Sequence, residues 1–206
     1  MTDAMSVVPV PEIRSSIRAY RLESIDLVRG LVVVVMAIDQ AEKKPEYLAI
    51  NPHGRIPCIV DKSGGGKIVV AQSWAICVYL AEKTGKFLPK DPAGRARVME
   101  WMFHVASDVM ALHSYHNALG RHAPEKSAAN LAWAEGRVRD AMAYLDSRLA
   151  GQKYLAGEIS IADLALYPMW NRRRELAQEG KMTNLLRWGA AMDARPKCKR
   201  ALEIVS

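Results

Sequence analysis

The spacing of hydrophobic positions changes character near residue 85. Before it, short β-branched runs alternate with helical patterns, and beyond it nearly every apolar residue falls at helical spacing. Leu31-Val-Val-Val-Val-Met-Ala-Ile38 reads as a buried strand by its length and branching. Ile56-Pro-Cys-Ile-Val-Asp61 and Lys67-Ile-Val-Val-Ala71 read as two more, and the short glycine-rich turn Ser63-Gly-Gly-Gly66 between them predicts an antiparallel hairpin. That turn is a poor phosphate loop, because no Lys-Ser/Thr pair follows it to open a helix. Ser73 starts a predicted helix carrying Ile76, Tyr79 and Leu80, which stops near Thr84-Gly85, and Pro89-Lys-Asp-Pro92 reads as a linker. Val98, Trp101, Met102, Val105, Val109 and Leu112 then fall on one face of a single long amphipathic helix. Further helices are predicted over about 128–149, from Ser160 and near Thr183, and Pro196 predicts a break before a short terminal turn. The pattern describes an α/β domain over residues 1–85, a linker over 86–93 and an all-α helical domain over 94–206.

Composition narrows the class. The chain has 206 residues, half of them hydrophobic and a quarter charged, which excludes a disordered chain and is enough for a core without metal or disulfide staples. Three cysteines, Cys58, Cys77 and Cys198, form no CxxC pair, so neither a disulfide framework nor a zinc site is expected, and a reducing cytoplasm fits best. The apolar run from Leu31 to Ile38 is far shorter than the roughly 20 residues a membrane helix needs, and no basic region feeds an apolar signal core. A soluble, cytoplasmic protein with no membrane association is the expectation.

Lys and Arg total 29 against 22 Asp and Glu, a formal charge of +7. Much of the excess lies in Arg172–Arg174 and between Arg187 and Arg200. No zinc-finger spacing and no aromatic-plus-basic ribonucleoprotein pattern accompanies it, which argues against nucleic acid as a partner. Drawing anionic small molecules into a basic cleft is the alternative use of such a charge.

Two stretches carry candidate chemistry. In Asn51-Pro-His-Gly-Arg-Ile-Pro-Cys-Ile-Val60 a turn leads straight into a strand, and Pro57 cannot donate to a sheet ladder, so it belongs at an edge or opening of the sheet. A cis Ile56-Pro57 bond there would present the Ile56 N–H and C=O outward, where an extended peptide could pair as an added strand. A plain loop-to-strand turn is the alternative. In Ala71-Gln-Ser-Trp-Ala-Ile-Cys-Val-Tyr-Leu80 a polar pair sits where strand hands over to helix, with Ser73 read as N-cap and the helix N-terminus as a ready anion site. A capping role alone is again the alternative.

Together the Asn-Pro-x-Gly-x-Ile-Pro turn, the hairpin, the Gln-Ser helix start and Ala-Ile-x-x-Tyr-Leu resemble the thioredoxin-like half of the glutathione transferase superfamily. Tyr154-Leu-Ala-Gly157 with Ile159-Ser-Ile-Ala-Asp-Leu-Ala-Leu-Tyr167 resembles that family's helical-domain signature, with Ser160 capping a buried helix and Asp163 closing a capping box as a structural residue. Ala194-Arg-Pro196 is similar to its terminal region, so the resemblance runs from about residue 43 to 201.

The resemblance implies a thioredoxin-like domain followed by an all-helical one, a homodimer, and glutathione as co-substrate with no metal. It implies that Ile56 beside Pro57 holds the cysteinyl part of glutathione, that Gln72 and Ser73 take the γ-glutamyl end, and that Arg55 meets a glutathione carboxylate. Arg14-Ser-Ser16 before an amphipathic helix resembles the zeta class and nominates Ser15, then Ser16, as stabilisers of the glutathione thiolate; capping of that helix is the alternative role for both. The proline-interrupted run Ser6-Val-Val-Pro-Val-Pro11 and the missing cysteine after the serine pair depart from the family's pattern. His104, Asp108 and Tyr115 lie on the helix that the family uses to border its second-substrate pocket, and a solvated helix face is the alternative. The five tryptophans are expected to fill core and interface. The implied activity is attack of a bound glutathione thiolate on an apolar electrophile, with glutathione-dependent isomerisation or an inactive glutathione-binding module as alternatives. A disulfide reductase of the same superfamily is a third, disfavoured alternative, because no cysteine stands at the start of the first helix.

Overall fold

The computed structural model describes residues 45–63 and 66–205. The chain divides into two compact units between Ile76 and Cys77, and each is taken by itself below. The candidate strand at Leu31–Ile38, the first helix and the serine pair Ser15 and Ser16 lie outside the described residues.

In the first unit, helix α1 (Pro45–Leu48) leads through the Asn51–Arg55 turn into strand β1 (Cys58–Asp61), which pairs antiparallel with β2 (Ile68–Ala71). The register is Cys58↔Ala71, Ile59↔Val70, Val60↔Val69 and Asp61↔Ile68, the hairpin that the glycine-rich turn predicts. Asp61 Oδ1 accepts the Ser63 N–H at 2.9 Å, an Asx-type turn that starts the reversal. Helix α2 (Ser73–Thr84) follows β2 after a single residue, Gln72. It ends at Gly85, whose φ of 65° is the left-handed conformation that a helix C-terminus favours and only glycine adopts without strain.

The second unit is built from helices whose starts are written in the sequence. Asp91 accepts the Gly94 N–H at 2.7 Å and Pro92 occupies the first turn of α3 (Pro92–His104). Ser127 accepts the Asn130 N–H at 3.2 Å to start α5 (Ala128–Arg148). Ser160 and Asp163 form the expected capping box at the head of α6 (Ile161–Glu179). The last two helices are α7 (Thr183–Asp193) and α8 (Pro196–Val205). Pro196 therefore opens a ten-residue helix rather than a short turn, since a proline in the first turn removes only an N–H that has no intrahelical acceptor.

The single long helix expected over Val98–Leu112 is interrupted. Between α3 and α4 (Met110–Arg121) lies a π-helical stretch, Val105–Val109. Buried positions run Val98, Trp101, Met102, Val105, Val109 and then His113, not Leu112. The wider turn adds a residue to the period, so the buried face stays toward the core where a regular helix would have rotated away. Phe87 in the predicted linker accepts the Ile161 N–H at 2.9 Å, satisfying an end group of α6, and its neighbour Leu88 is buried.

The core of this unit is α6, where Ile161–Tyr167, Met169 and Trp170 are all buried against Val138, Met142 and Leu145 of α5 and Leu185, Trp188 and Met192 of α7. Each such side chain contributes on the order of 1.5–3 kcal/mol by leaving water. Trp170 and Trp188 meet edge to face at 6.0 Å, and Gly189 lies against Trp170 so closely that a Cβ there would fall 2.2 Å from its ring. At the centre Asp163, fully buried, accepts four hydrogen bonds: from the Leu155 N–H (3.0 Å), the Ser160 N–H (3.0 Å), the Ser160 hydroxyl (3.1 Å) and the Trp188 indole N–H (2.8 Å). Burial pushes its carboxyl up and the four donors oppose that shift. The structural role expected of Asp163 is what its partners give it.

Candidate functional site

The turn before β1 is built to hold backbone groups in place. Asn51 is buried, and both its side-chain amide N–H and the Tyr47 hydroxyl (2.6 Å) donate to the Arg55 carbonyl. The Gly54 N–H closes the turn onto the Asn51 carbonyl at 2.9 Å, with Gly54 at a φ of 61° that its missing Cβ permits. The Ile56-Pro57 bond is cis. Among the described residues, no backbone hydrogen bond engages the Ile56 N–H or C=O. The Arg55 side chain is exposed; Ile56 and Pro57 are half-buried.

Register places the second part of the site beside the first. The last pair of the hairpin is Cys58↔Ala71, so Ile56 and Pro57 stand directly before one strand and Gln72 and Ser73 directly after the other, all within the first unit. Gln72 has a φ of 74°. For a non-glycine residue this conformation costs roughly 1–2 kcal/mol and marks a position the surrounding structure enforces. Its carbonyl accepts the Ile76 N–H at 3.0 Å, so Gln72, not Ser73, occupies the cap position, and Ser73 is the first residue of the helix. The sequence reading is corrected by one residue. The correction frees the Ser73 hydroxyl from capping and leaves the first-turn N–H groups pointing out of the helix end. No acidic side chain lies in that first turn, so the partial positive charge of the helix end is unopposed there.

The three residues proposed for a second-substrate pocket separate into two places. His104 Nδ1 lies 3.4 Å from Asp108 Oδ2, across the π-helical stretch, and Asp108 also accepts from the Ser107 hydroxyl at 2.6 Å. The His104 ring packs edge-on against Trp101 (5.6 Å) and Tyr144 (5.1 Å). Tyr115 instead meets Trp133 edge to face at 6.3 Å, with both rings largely exposed. Trp101, Trp170 and Trp188 fill the core as expected, while Trp133, 60% exposed, does not.

The thiols of the chain are unsuited to nucleophilic work. Burial raises Cys58 and Cys198 and pushes Cys77 up to about 12, so all three are held as protonated thiols near neutral pH. No metal-binding group of His, Cys, Asp or Glu occurs among the described residues, and none of the described helices is long and apolar enough to cross a membrane.

Comparison with known proteins accounts for this arrangement of turn, hairpin and helix start. Residues 26–83 match the family described as glutathione S-transferase, N-terminal domain, and residues 101–196 match glutathione S-transferase, C-terminal domain. The chain is also 31% identical over 191 residues to the disulfide-bond oxidoreductase YfcG of Escherichia coli, covering 89% of this chain and 83% of that protein. The chain belongs to the glutathione transferase superfamily. Its fold is that family's, a small thioredoxin-like N-terminal domain with a short sheet, followed by a helical domain. A glutathione transferase of Burkholderia graminis, crystallised with two glutathione molecules per subunit, superposes with a TM-score of 0.71 at 28% identity, covering 79% of this chain and 72% of that one. A glutathione transferase of Pseudomonas putida, crystallised with one glutathione disulfide per subunit, superposes with a TM-score of 0.72 at 26% identity, covering 80% and 76%.

Sequence reasoning missed two sets of residues. Tyr47 and Asn51, which lock the Arg55 carbonyl, give no signal until the turn has closed. Two members of the basic run Arg172–Arg174 are engaged within the helical unit. Arg174 pairs with Asp193 at 3.0 Å, and Arg173 turns inward onto His113 and His116. From the C-terminal basic stretch, Arg187 donates to the carbonyls of Leu149 (2.6 Å) and Gln152 (3.0 Å), capping the end of α5.

Proposed function

We propose that the protein binds glutathione along the Arg55–Pro57 turn and the α2 N-terminus, and that the thiolate of the bound tripeptide attacks a disulfide. The observation that supports this reading is that the Ile56 backbone, without a backbone hydrogen bond among the described residues, precedes the strand whose hairpin partner leads into the Gln72-Ser73 helix start. Ile56 offers one donor and one acceptor to an extended peptide, and the helix end offers N–H groups and the Ser73 hydroxyl to a carboxylate. The exposed Arg55 side chain would meet a second carboxylate. Ser15 and Ser16 are the proposed hydroxyl donors to the glutathione sulfur.

The chemistry needs no protein thiol. A glutathione thiolate attacks one sulfur of RS–SR′, forming a mixed disulfide and releasing R′S⁻, which takes up the proton that the glutathione thiol lost. A second glutathione attacks the mixed disulfide, releasing RS⁻ and leaving oxidised glutathione. The sum is RSSR′ + 2 GSH → RSH + R′SH + GSSG. The relatives with two glutathiones or one glutathione disulfide per subunit, and the oxidoreductase named above, support this reading. So does the protonated state of all three cysteines. The missing cysteine at the first helix excludes only a reductase that supplies its own thiol.

Attack on a carbon electrophile is the second reading, favoured by the transferase relatives. His104 with Asp108, and separately Tyr115, are then the proposed co-substrate residues. Isomerisation rests on the Arg14-Ser-Ser16 motif alone. The proposal includes a cytoplasmic homodimer, to which the exposed Phe103, Trp133 and Tyr144 would contribute apolar surface.

The test is glutathione-dependent reduction of a small dialkyl disulfide, read as NADPH oxidation through added glutathione reductase. Turnover should persist in a folded variant with all three cysteines replaced. It should fall at least tenfold in Ser15→Ala or Ser16→Ala. Turnover of an aryl halide but not of the disulfide would replace this reading with the conjugating one, and binding with neither would leave a glutathione-binding module.

A further inference from the structure

One guanidinium in the helical unit serves two histidines. Arg173 of α6 donates its Nε–H to His113 Nδ1 at 3.0 Å, and its Nη2 reaches His116 Nδ1 at 2.8 Å and Asn117 Oδ1 at 3.2 Å, all three acceptors lying on α4. His113 is 4% exposed, and Asn117 Nδ2 lies 3.0 Å from its Nε2. Arg173 is also the residue at which α6 leaves helical geometry (φ −126°, ψ 15°), five positions after Pro168, which has no N–H to give the helix. The kink is what lets this one member of the arginine run point inward.

A neutral imidazole has one donor and one acceptor nitrogen, and in both rings the acceptor faces Arg173. Protonation would place an N–H against the guanidinium N–H and a second positive charge beside the first. We propose that the His113–His116–Arg173 cluster is an acid-sensitive clasp between α4 and the second half of α6, closed while the His113 ring is neutral and released when His113 takes up a proton.

The surrounding charges make His113 sensitive to acid. The arginines acting on it are Arg173 and Arg172 from α6 and Arg121 from α4, with the His116 ring of α4 beside them. From α5, Glu135 lies 3.8 Å from His116 Nε2. That carboxylate is itself held by Arg139 at 2.8 Å, and Arg139 also binds Glu179 near the end of α6 at 2.7 Å. Burial first, and the arginines next, lower His113 to about 4 from an ordinary 6.5. The sign follows: the clasp holds fully above pH 6.5 and weakens as pH falls toward about 4, because the open form binds the proton that the closed form refuses. With those two values the open population rises roughly 30-fold between pH 7.5 and pH 5.

Hydrogen exchange of the full-length protein, corrected for the intrinsic pH dependence of exchange, tests this at segment resolution. Peptides covering 172–180 should lose protection by roughly 30-fold between pH 7.5 and pH 5, while peptides covering 161–170 keep theirs. His113→Gln should remove most of that pH dependence, and Arg173→Gln should leave the segment open at both pH values. The proposal is overturned by constant protection of 172–180 across the range, by equal loss in 161–170, or by an unchanged pH response in His113→Gln. If His113→Gln does not fold, the pKa of His113 read from its ring-proton NMR shift decides, with a value at or above 6.5 overturning the clasp.

Discussion

The described part of the first unit and the helical unit solve opposite problems. Around Ile56 and Gln72 the described residues leave the Ile56 N–H and C=O without a backbone partner, beside a closed turn and a strained dihedral. Around Asp163 it does the reverse, surrounding one buried carboxylate with four donors. Unsatisfied groups at a surface are available to a ligand, whereas satisfied groups in a core specify one packing. Substitutions in the two regions should therefore move different observables.

The largest effect is expected at Asp163. Asp163→Ala strips three N–H donors and a hydroxyl of their acceptor, and at about 1–3 kcal/mol for each orphaned group the loss should exceed about 3 kcal/mol. Denaturant unfolding followed by circular dichroism checks it. A loss below about 1 kcal/mol would mean that this network contributes little. Gly189→Ala should come next, at about 1–3 kcal/mol, because the new methyl meets the buried Trp170 ring and neither helix can yield freely.

Gln72 sharpens the contrast, since stability and binding should move in opposite directions. Gln72→Gly relieves the positive φ and should raise stability by up to about 1 kcal/mol while weakening glutathione binding. Calorimetric titration and a melting curve on the same sample read both. Ser73→Ala should cost about 1 kcal/mol of binding, roughly a fivefold rise in Kd, with an unchanged melting temperature, because Ser73 is not the cap. The smallest effect is expected at Trp133, whose replacement by Ser should leave monomer stability within about 0.5 kcal/mol.

What could be read from sequence divides along the same line. The start of α6 was legible because the Ser160–Asp163 box acts within a few residues, whereas Asp91-Pro92 was read as linker although it caps and opens α3. The hairpin was legible too, since its register follows from strand length and turn. The π-helical stretch was hidden, since Leu112 fits a regular period as well as His113 fits the observed one. The inward turn of Arg173 was hidden too, because it needs a kink at that residue and histidines 57 and 60 positions away in sequence. Ser73 was placed one residue off because nothing local distinguishes a cap from a first helical residue when a left-handed Gln72 stands between strand and helix.

The central claim is that glutathione lies against the first-unit turn and the α2 N-terminus. Amide chemical-shift mapping of the isotopically labelled protein during a glutathione titration tests it most directly. Saturable shifts should concentrate at Ile56, Gln72, Ser73, Trp74 and Ala75, and Ser73→Ala should require more glutathione to reach the same endpoint. Saturable shifts confined to other segments, or none at millimolar glutathione, would contradict it.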